Sequence, residues 1–345
     1  MADAALVDAL LDGKIAALAR AVSIVENGRE GFEEILATLH PKLGRARRIG
    51  VTGPPGAGKS TLTERLVTSY RAQGHRVAVV AVDPTSPFTG GALLGDRIRM
   101  ESVALDPGVY IRSMATRGSL GGLATATREV CDVLDAAGYE RILIETVGVG
   151  QSELDVTRMA DSTALVLVPE SGDGIQALKS GVIEAADLFV VNKADRPGAD
   201  KLRRELEMSL DLRSGKVARV PAHHGALRSG PASKPEPADA SLSEWRPPVL
   251  VTTASRSEGV GTVIESLEQH WAWLGQTGML EQRRRARLAR RTREVVERAM
   301  RRWLWQESHA DEMIAARLDD VTAGKTSPYD LAAEIVTALK EGARV

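Results

Sequence analysis

Cysteine, aromatic residues and long apolar runs are scarce in this sequence of 345 residues. The single cysteine, Cys131, excludes an internal disulfide and supplies too little sulfur for a zinc site, so we expect a reducing, cytoplasmic compartment. No uncharged apolar stretch is long enough to span a bilayer, and the N-terminus lacks a basic region followed by an apolar core. A formal net charge of -1 argues against nucleic-acid binding, which would need a broad basic field.

The most specific pattern that is present is GPPGAGKS at residues 53–60, which matches G-x-x-x-x-G-K-[S/T] after a short apolar run. Its glycines let backbone N–H groups point at phosphate oxygens, and a helix beginning near Lys59 adds the positive end of its dipole. Lys59 would reach the β- and γ-phosphates, and Ser60 would hold Mg²⁺. A chance glycine-rich turn is the alternative. The predicted phosphate-binding residues are Gly53, Pro54, Pro55, Gly56, Ala57, Gly58, Lys59, Ser60 and Thr61.

From residue 47 onward, short apolar runs alternate with helical patterns. The predicted strands are residues 49–52, 77–82, 109–112, 142–144, 164–168, 188–191 and 249–252. Most of them are continuously apolar and β-branched, as expected for strands that are buried on both faces. Repeated βα units predict an α/β fold with a mostly parallel sheet, helices on both faces and ligands at the carboxyl ends of the strands.

Carboxylates follow two of these strands. Asp83 and Asp96 belong to a loop rich in proline, glycine and hydroxyl residues, and they are candidate Mg²⁺ ligands, although Asp83 could equally be a turn or cap residue. Glu145 ends another strand, where it would face the metal, and Gly148 would let the next loop approach the γ-phosphate. A salt bridge at the strand end is the alternative for Glu145.

The run NKAD at residues 192–195 matches N-K-x-D at the end of a strand. The Asp195 carboxylate can accept two hydrogen bonds from a guanine edge, whereas adenine would leave that carboxylate without this pair of donors. Asn192, Lys193 and Asp195 therefore predict guanine recognition. The last strand leads to Thr253, Ala254 and Ser255, which would form a second loop over the base.

Helical segments flank this domain. Residues 1–44 carry apolar side chains at helical spacing and predict two amphipathic helices, which either pack on the main domain or form an arm for a partner. Residues 45–275 are the predicted nucleotide-binding domain, with a flexible insert at about 225–244. Residues 276–345 predict a helical arm that begins with an arginine-rich helix, which is either a solvated face or, with its narrow apolar stripe, a subunit interface.

Four runs carry a resemblance to a known family: VDPTSPFTGGALLGDRIRM, ETVGVGQSE, VPESGDGIQALKSG and VVNKAD. Together they resemble the MeaB/ArgK family of P-loop GTPases, which are chaperones of methylmalonyl-CoA mutase and related cobalamin enzymes. The resemblance covers almost the whole chain. It implies a P-loop domain of the SIMIBI type, GTP and GDP with Mg²⁺ as ligands, and a homodimer joined by the C-terminal helices.

The resemblance also implies the function and the roles of individual residues. Such proteins control the delivery of adenosylcobalamin to the mutase and protect the mutase from inactivation. Ser60, Asp83, Asp96 and Glu145 would surround Mg²⁺, and catalysis would rest on Lys59, Asp96 and Glu145. The residues implied to switch with the nucleotide are Gly148, Gln151, Gln176 and Lys179.

Three other functions stay open at this stage. A metal-inserting GTPase of hydrogenase or urease maturation would normally carry a histidine- or cysteine-rich site, and the six histidines here form one adjacent pair, His223 and His224. A transport-linked small-molecule kinase would need an acceptor pocket, which spacing and composition do not identify. A nucleotide-dependent scaffold would hydrolyse GTP only incidentally.

Overall fold

The computed structural model describes residues 2–83, 100–115, 120–146, 152–169, 182–213 and 244–342. These residues belong to two compact units, Met1–Glu281 and Gln282–Val345. The described strands all lie in the first unit and form one sheet. They are β1 (Arg47–Thr52), β2 (Val77–Asp83), β3 (Val109–Ala115), β4 (Arg141–Thr146), β5 (Ser162–Leu167), β6 (Leu188–Val191) and β7 (Val249–Val251). All seven predicted strands are present, and the predicted α/β fold is confirmed.

The sheet is parallel throughout its described pairs, in the order β3-β2-β4-β1-β5-β6-β7. β1 therefore lies at the centre, between β4 and β5. The register pairs Val51 with Glu145 and Thr52 with Leu165. Because parallel strands all end at one edge, the loops that follow β1, β4, β6 and β7 lie along the same edge of the sheet.

Helices cover both faces of this sheet. The described helices that begin in the first unit are α1 (Ala2–Leu11), α2 (Ile15–Glu26), α3 (Phe32–Leu39), α4 (Lys59–Ala72), α5 (Glu101–Ala104), α6 (Leu120–Ala136), α7 (Ser152–Met159), α8 (Val182–Ala185), α9 (Ala199–Arg213), α10 (Val260–Gln276) and α11 (Met279–Arg302). On β2, Val79 packs in the core that contains α4 and α10, while its neighbour Val80 packs in the core that contains α6. Burial on both faces explains why the strands read as continuous apolar runs rather than as alternating ones.

Residues 1–44 contain three α-helices instead of the two predicted, because α1 and α2 are separate. Gly13 adopts a left-handed φ of 82° between them. Its N–H donates to Leu10 O at 2.9 Å, and the Lys14 N–H donates to Ala9 O at 3.0 Å. This pair of hydrogen bonds is the Schellman arrangement that ends a helix at a glycine. The apolar spacing continues across the break, which is why periodicity alone did not reveal it.

The N-terminal helices pack on α6 and are joined to it by buried polar contacts. Leu18 and Val22 of α2 are buried in one cluster with Val130 of α6. The Asp135 carboxylate accepts hydrogen bonds from the backbone N–H groups of residues 44, 45 and 46, at 2.9, 3.1 and 2.9 Å. A carboxylate with three backbone donors is well satisfied in a buried position. These bonds set the point at which the chain leaves α3 and enters β1.

A buried polar cluster supports the opposite end of β5 and β6. His270, on α10, is fully buried, and its Nδ1 lies 2.8 Å from Ser162 Oγ. Its Nε2 lies 3.3 Å from Asp187 Oδ1, and Asp187 Oδ2 accepts the N–H of Thr163 at 2.9 Å. The indole N–H of Trp245 donates to Asp187 O at 2.8 Å. The cluster thus holds α10, β5 and β6 together with the segment that leads into β7.

The second unit is helical in its described part. It contains most of α11, then α12 (Ala310–Thr322) and α13 (Pro328–Gly342). Its small core consists of Ala310, Leu331 and Ile335. One wide π-helical turn, Trp303–Glu307, separates α11 from α12. Nowhere in the described parts of either unit does a helix combine the length and apolar character needed to cross a bilayer.

Candidate nucleotide site

The predicted phosphate loop connects β1 to α4 at the centre of the sheet. Gly53 has a φ of 138°, and a Cβ atom there would lie 2.0 Å from Val166 O. Gly58 has a φ of 86°, and a Cβ atom there would lie 2.3 Å from Asn192 Nδ2. Both contacts are far too short for a real Cβ atom. Only glycine therefore lets the loop pass between β5 and the asparagine and still present its backbone to a ligand.

Lys59 is the first residue of α4 and is 5% exposed. Its Nζ donates hydrogen bonds to Gly53 O at 2.8 Å and to Pro54 O at 2.9 Å. The side chain therefore folds back over its own loop, so that the ammonium group lies beside the first residues of the loop. The N-terminus of α4 and this cation together make the loop a favourable place for an anion.

Ser60 and Glu145 meet next to this loop. Ser60 Oγ donates to Glu145 Oε1 at 2.6 Å. Glu145 ends the apolar part of β4 and is 5% exposed. A hydroxyl and a carboxylate are hard oxygen donors, which is the donor chemistry that Mg²⁺ prefers. These two residues therefore fit the predicted metal site by their donor set and by their place beside the phosphate loop.

The structure tests the other predicted metal ligands less fully. Asp83 is the last residue of β2, where its backbone pairs with Ala115 of β3, and the preceding residue, Val82, pairs with Thr146 of β4. Its backbone thus lies at the same edge of the sheet as Glu145, although its side chain lies outside the described atoms. Asp96 lies outside the described residues, and its role remains a prediction.

Two threonines that sequence reasoning missed join the central strands at this edge. The hydroxyl oxygens of Thr52 and Thr146 lie 2.9 Å apart, and both residues are buried. Thr52 immediately precedes the phosphate loop, and Thr146 immediately follows Glu145. Their hydrogen bond therefore ties the entrance of the phosphate loop to the end of β4. The only sign of this contact in the sequence was a threonine at the end of each of two apolar strands. It could be interpreted only once β1 and β4 were known to be neighbours.

Asn192 connects the phosphate loop to the loop after β7. Its Nδ2 donates to Ala57 O at 2.8 Å, and its Oδ1 accepts from Thr252 Oγ1 at 3.0 Å and from Ala254 N at 3.1 Å. The residue is 2% exposed. The side chain of Asn192 is therefore occupied by three protein contacts. It positions the predicted phosphate and base loops relative to one another.

The rest of the predicted base site lies on these two loops. Lys193 has a φ of 57°, which is uncommon for a residue other than glycine, and the Ala194 N–H donates to Thr252 O at 3.0 Å. Asp195 is exposed, so its carboxylate is accessible to a ligand. Thr253 and Ala254 are buried, whereas Ser255 is exposed. The structure thus places the N-K-x-D loop beside the loop that follows β7.

The switch residues cannot be placed in the same way. Gly148, Gln151, Gln176 and Lys179 lie outside the described residues, as does the predicted insert at 225–244 except for its last residue. Gly148 and Gln151 come after β4 in the chain, and Gln176 and Lys179 come after β5. No side-chain contact is assigned to them, and their proposed movement remains a prediction.

Known proteins match this chain over most of its length. The family model described as "Methylmalonyl Co-A mutase-associated GTPase MeaB" matches residues 18–309. A protein of Pyrococcus abyssi that is named as a GTPase is 45% identical over 291 residues, which cover 84% of this chain and 83% of that protein. The "Methylmalonic aciduria type A homolog, mitochondrial" of Caenorhabditis elegans is 33% identical over 356 residues, covering 95% of this chain and 80% of that protein.

A solved structure shows the same architecture. It is described as a LAO/AO transport system kinase, with a TM-score of 0.65 and 27% sequence identity, and the match covers 98% of this chain and 97% of that chain. The likeness therefore includes the helical extensions as well as the sheet.

Proposed function

Because this chain belongs to the MeaB family of methylmalonyl-CoA mutase-associated GTPases, we propose that it is the chaperone of an acyl-CoA mutase that uses adenosylcobalamin. The chain is a P-loop GTPase, and the proposal concerns what the GTPase cycle controls. The observation that carries it is the match of the MeaB model to residues 18–309. The name of the Caenorhabditis elegans relative points in the same direction.

The nucleotide-binding part of the proposal assigns GTP and GDP to the candidate site. Residues 53–61 hold the phosphates, and Asp195 recognises the guanine edge, with Lys193 and residues 253–255 beside the base. The exposed carboxylate of Asp195 next to the loop after β7 supports this assignment. Asn192 contributes by positioning these loops.

Magnesium is proposed as the metal. Ser60 and Glu145 would hold it together with Asp83 and Asp96, directly or through water, and the 2.6 Å contact between Ser60 and Glu145 supports the first two assignments. When bound, Mg²⁺ supplies positive charge next to the phosphates. Lys59 stabilises the negative charge that develops on the transferred phosphoryl group, and Glu145 orients the donors around it. We expect intrinsic hydrolysis to be slow, because the predicted phosphate and base loops, residues 53–61, 192–195 and 253–255, contain no arginine that could act as a finger.

The signalling part concerns three loops. Residues 83–96, 145–152 and 172–179 follow β2, β4 and β5, whose carboxyl ends lie at one edge of the sheet. A γ-phosphate can order such loops together, and hydrolysis can release them. A mutase that contacts these loops would sense the nucleotide, and linkage requires that the mutase in turn alters nucleotide affinity.

The proposed assembly is a cytoplasmic homodimer joined through the C-terminal helices. Support comes from the apolar side chains that α11 leaves exposed, Leu288, Val295, Val296 and Met300. A run of this kind on one helix needs burial that a single helix cannot supply. The predicted domain division, with residues 276–345 as the dimerisation arm, belongs to the same proposal.

The test combines the purified protein with the methylmalonyl-CoA mutase of the same organism and follows GTP turnover and adenosylcobalamin loading. We expect the mutase to accelerate hydrolysis and loading to differ between GTP and GDP. Lys179→Ala should weaken this coupling while nucleotide affinity stays nearly unchanged. If the mutase changes neither GTP turnover nor nucleotide affinity, and loading is the same with GTP and GDP, the chaperone role is wrong. The assignment as a GTPase would remain.

A second candidate function follows from the similar solved structure, which is described as a transport system kinase. A kinase would transfer the γ-phosphoryl group to a small-molecule acceptor rather than to water. One molecule of free phosphate for every GDP formed, in the presence of cell metabolites, would exclude this function. A deficit of free phosphate would favour it.

A further inference from the structure

Side chains on both faces of the sheet hold the end of β4 to the phosphate loop and its helix. Successive side chains of a strand point to opposite faces. Ile144 packs in the core that contains α6, so Thr146 lies on that face and Glu145 on the face of α4. On the α4 face, Ser60 Oγ donates to Glu145 Oε1 at 2.6 Å. On the α6 face, the hydroxyl oxygens of Thr52 and Thr146 lie 2.9 Å apart.

The two threonines extend the contact between β1 and β4 beyond their backbone pairing. The described register of these strands ends at Val51 and Glu145. Thr52 and Thr146 are the next residues of the two strands, and both are buried, so bulk water does not compete for their hydroxyl groups. Their hydrogen bond therefore joins the two chain segments at the point where β1 leads into the phosphate loop.

The contacts on the two faces differ in what metal binding would do to them. Ser60 and Glu145 are the proposed Mg²⁺ ligands, so metal binding competes with their mutual hydrogen bond. The bond between Thr52 and Thr146 lies on the opposite face, and the metal does not compete for it. This second bond can therefore hold the end of β4 beside the phosphate loop in both states of the site.

We propose that Thr52 and Thr146 are positioning residues for GTP hydrolysis, and that their hydroxyl pair fixes Glu145 relative to Ser60 and the phosphate loop. Both side chains face away from the Ser60–Glu145 contact, so they act through these residues rather than on the ligand. The inference rests on the proposed assignment of GTP and Mg²⁺ to this site and not on the chaperone role. The alternative is that the two threonines only fill the core, as β-branched residues commonly do in strands.

The main variant is Thr52→Val with Thr146→Val in the full-length protein. Valine keeps the branched shape, and removing both hydroxyl groups leaves neither of them buried without its partner, so stability should stay close to that of the native chain. If the pair positions Glu145, kcat for GTP should fall roughly fivefold or more, while KM and GDP affinity change by less than about twofold. Thermal unfolding of the same samples checks that the fold is retained.

Two further variants separate positioning from packing. Thr52→Ser with Thr146→Ser keeps both hydroxyl groups and loses only the methyl groups, so kcat should stay within about twofold of the native value. Thr127→Val is the matched control. It removes a buried threonine hydroxyl of α6 that has no hydrogen-bond partner among the described residues. This control should leave both kcat and Mg²⁺ affinity unchanged.

A second measurement does not depend on turnover. Calorimetry of Mg²⁺ binding to the GDP-loaded protein should show a loss of affinity of roughly threefold or more in the double valine variant and none in the double serine variant. The two valines are also added to Glu145→Ala, where they should lower kcat by less than about a further twofold, because the group that they position is already gone.

Three results would overturn the inference alone. The first is native kcat and native Mg²⁺ affinity in the double valine variant, and the second is an equal loss of kcat in Thr127→Val. The third is an undiminished loss in the Glu145→Ala background, which would show that the threonines act independently of Glu145. Turnover of the native chain that needs no Mg²⁺ would instead overturn the proposed metal site, and this inference with it.

Discussion

Ser60 Oγ donates a 2.6 Å hydrogen bond to Glu145 Oε1, and this contact joins the start of α4 to the end of β4. The two residues are 85 positions apart in the chain, yet both are carried to the phosphate loop by neighbouring central strands. We expect Glu145→Ala to lower GTP turnover by roughly tenfold or more while GDP affinity changes by less than about twofold, because the carboxylate acts mainly where charge develops.

Steady-state phosphate release and calorimetry measure the two effects of Glu145→Ala separately. Lys59→Ala is the reference for complete loss, since it removes the cation nearest the transferred phosphoryl group. Turnover that is unchanged in Glu145→Ala would make this carboxylate a structural residue of the strand end. The same variant should also require more Mg²⁺ for half-maximal turnover.

Guanine selectivity is expected to depend on Asp195. GDP should bind at least about tenfold more tightly than ADP, a difference of about 1.4 kcal/mol. Asp195→Asn should lose most of this preference, because an amide offers one oxygen where the carboxylate offers two. Asp200→Asn, an exposed change in the first turn of α9, is the matched control. Equal affinities of the native chain for GDP and ADP in calorimetry would remove the guanine assignment.

Asn192→Ala should destabilise the nucleotide-free protein by about 1–3 kcal/mol, because Ala57 O, Thr252 Oγ1 and Ala254 N would lose a buried partner. Urea unfolding measures this loss. Thr252→Val removes only one of the three bonds and should cost less. A loss of GDP affinity without a loss of stability would instead indicate that Asn192 acts on the ligand directly.

The subunit interface is predicted to follow the exposed apolar side chains of α11. Leu288→Glu with Val295→Glu should convert a dimer to a monomer, because each change would place a charge in a buried apolar contact. Light scattering on the full chain makes the measurement. Leu318→Glu, an equally exposed position on α12, should leave the dimer intact. A double variant that stays dimeric would move the interface to the nucleotide-binding domain.

Cys131 should be unreactive in the native protein. The thiol is fully buried on α6, and burial raises its pKa to about 11. At pH 8 only about 0.1% of such a thiol would be the reactive thiolate. A thiol reagent should label one equivalent after unfolding in guanidinium and almost none before. Rapid labelling under native conditions would show that α6 opens away from the N-terminal helices.

Much of the fold was predictable because its signals are local. Strands such as β2 and β5 are buried on both faces, so burial appears in the sequence as an uninterrupted apolar run. The break at Gly13 was missed because the apolar spacing continues through it, and only the hydrogen bonds of Gly13 and Lys14 reveal the end of α1. The wide turn at Trp303–Glu307 has no comparable sequence signal.

The sequence by itself determined the chemistry of the site, because the phosphate loop and the N-K-x-D run are contiguous patterns whose residues act through their own backbone and side chains. Tertiary structure alone decided which of these patterns touch. Ala57 and Asn192 are 135 positions apart and meet only because β1, β5 and β6 are adjacent in a parallel sheet. The pairing of Thr52 with Thr146 likewise depends on β1 lying beside β4. Strand order is set by how the whole chain packs its two layers of helices, and no local run of residues records that order.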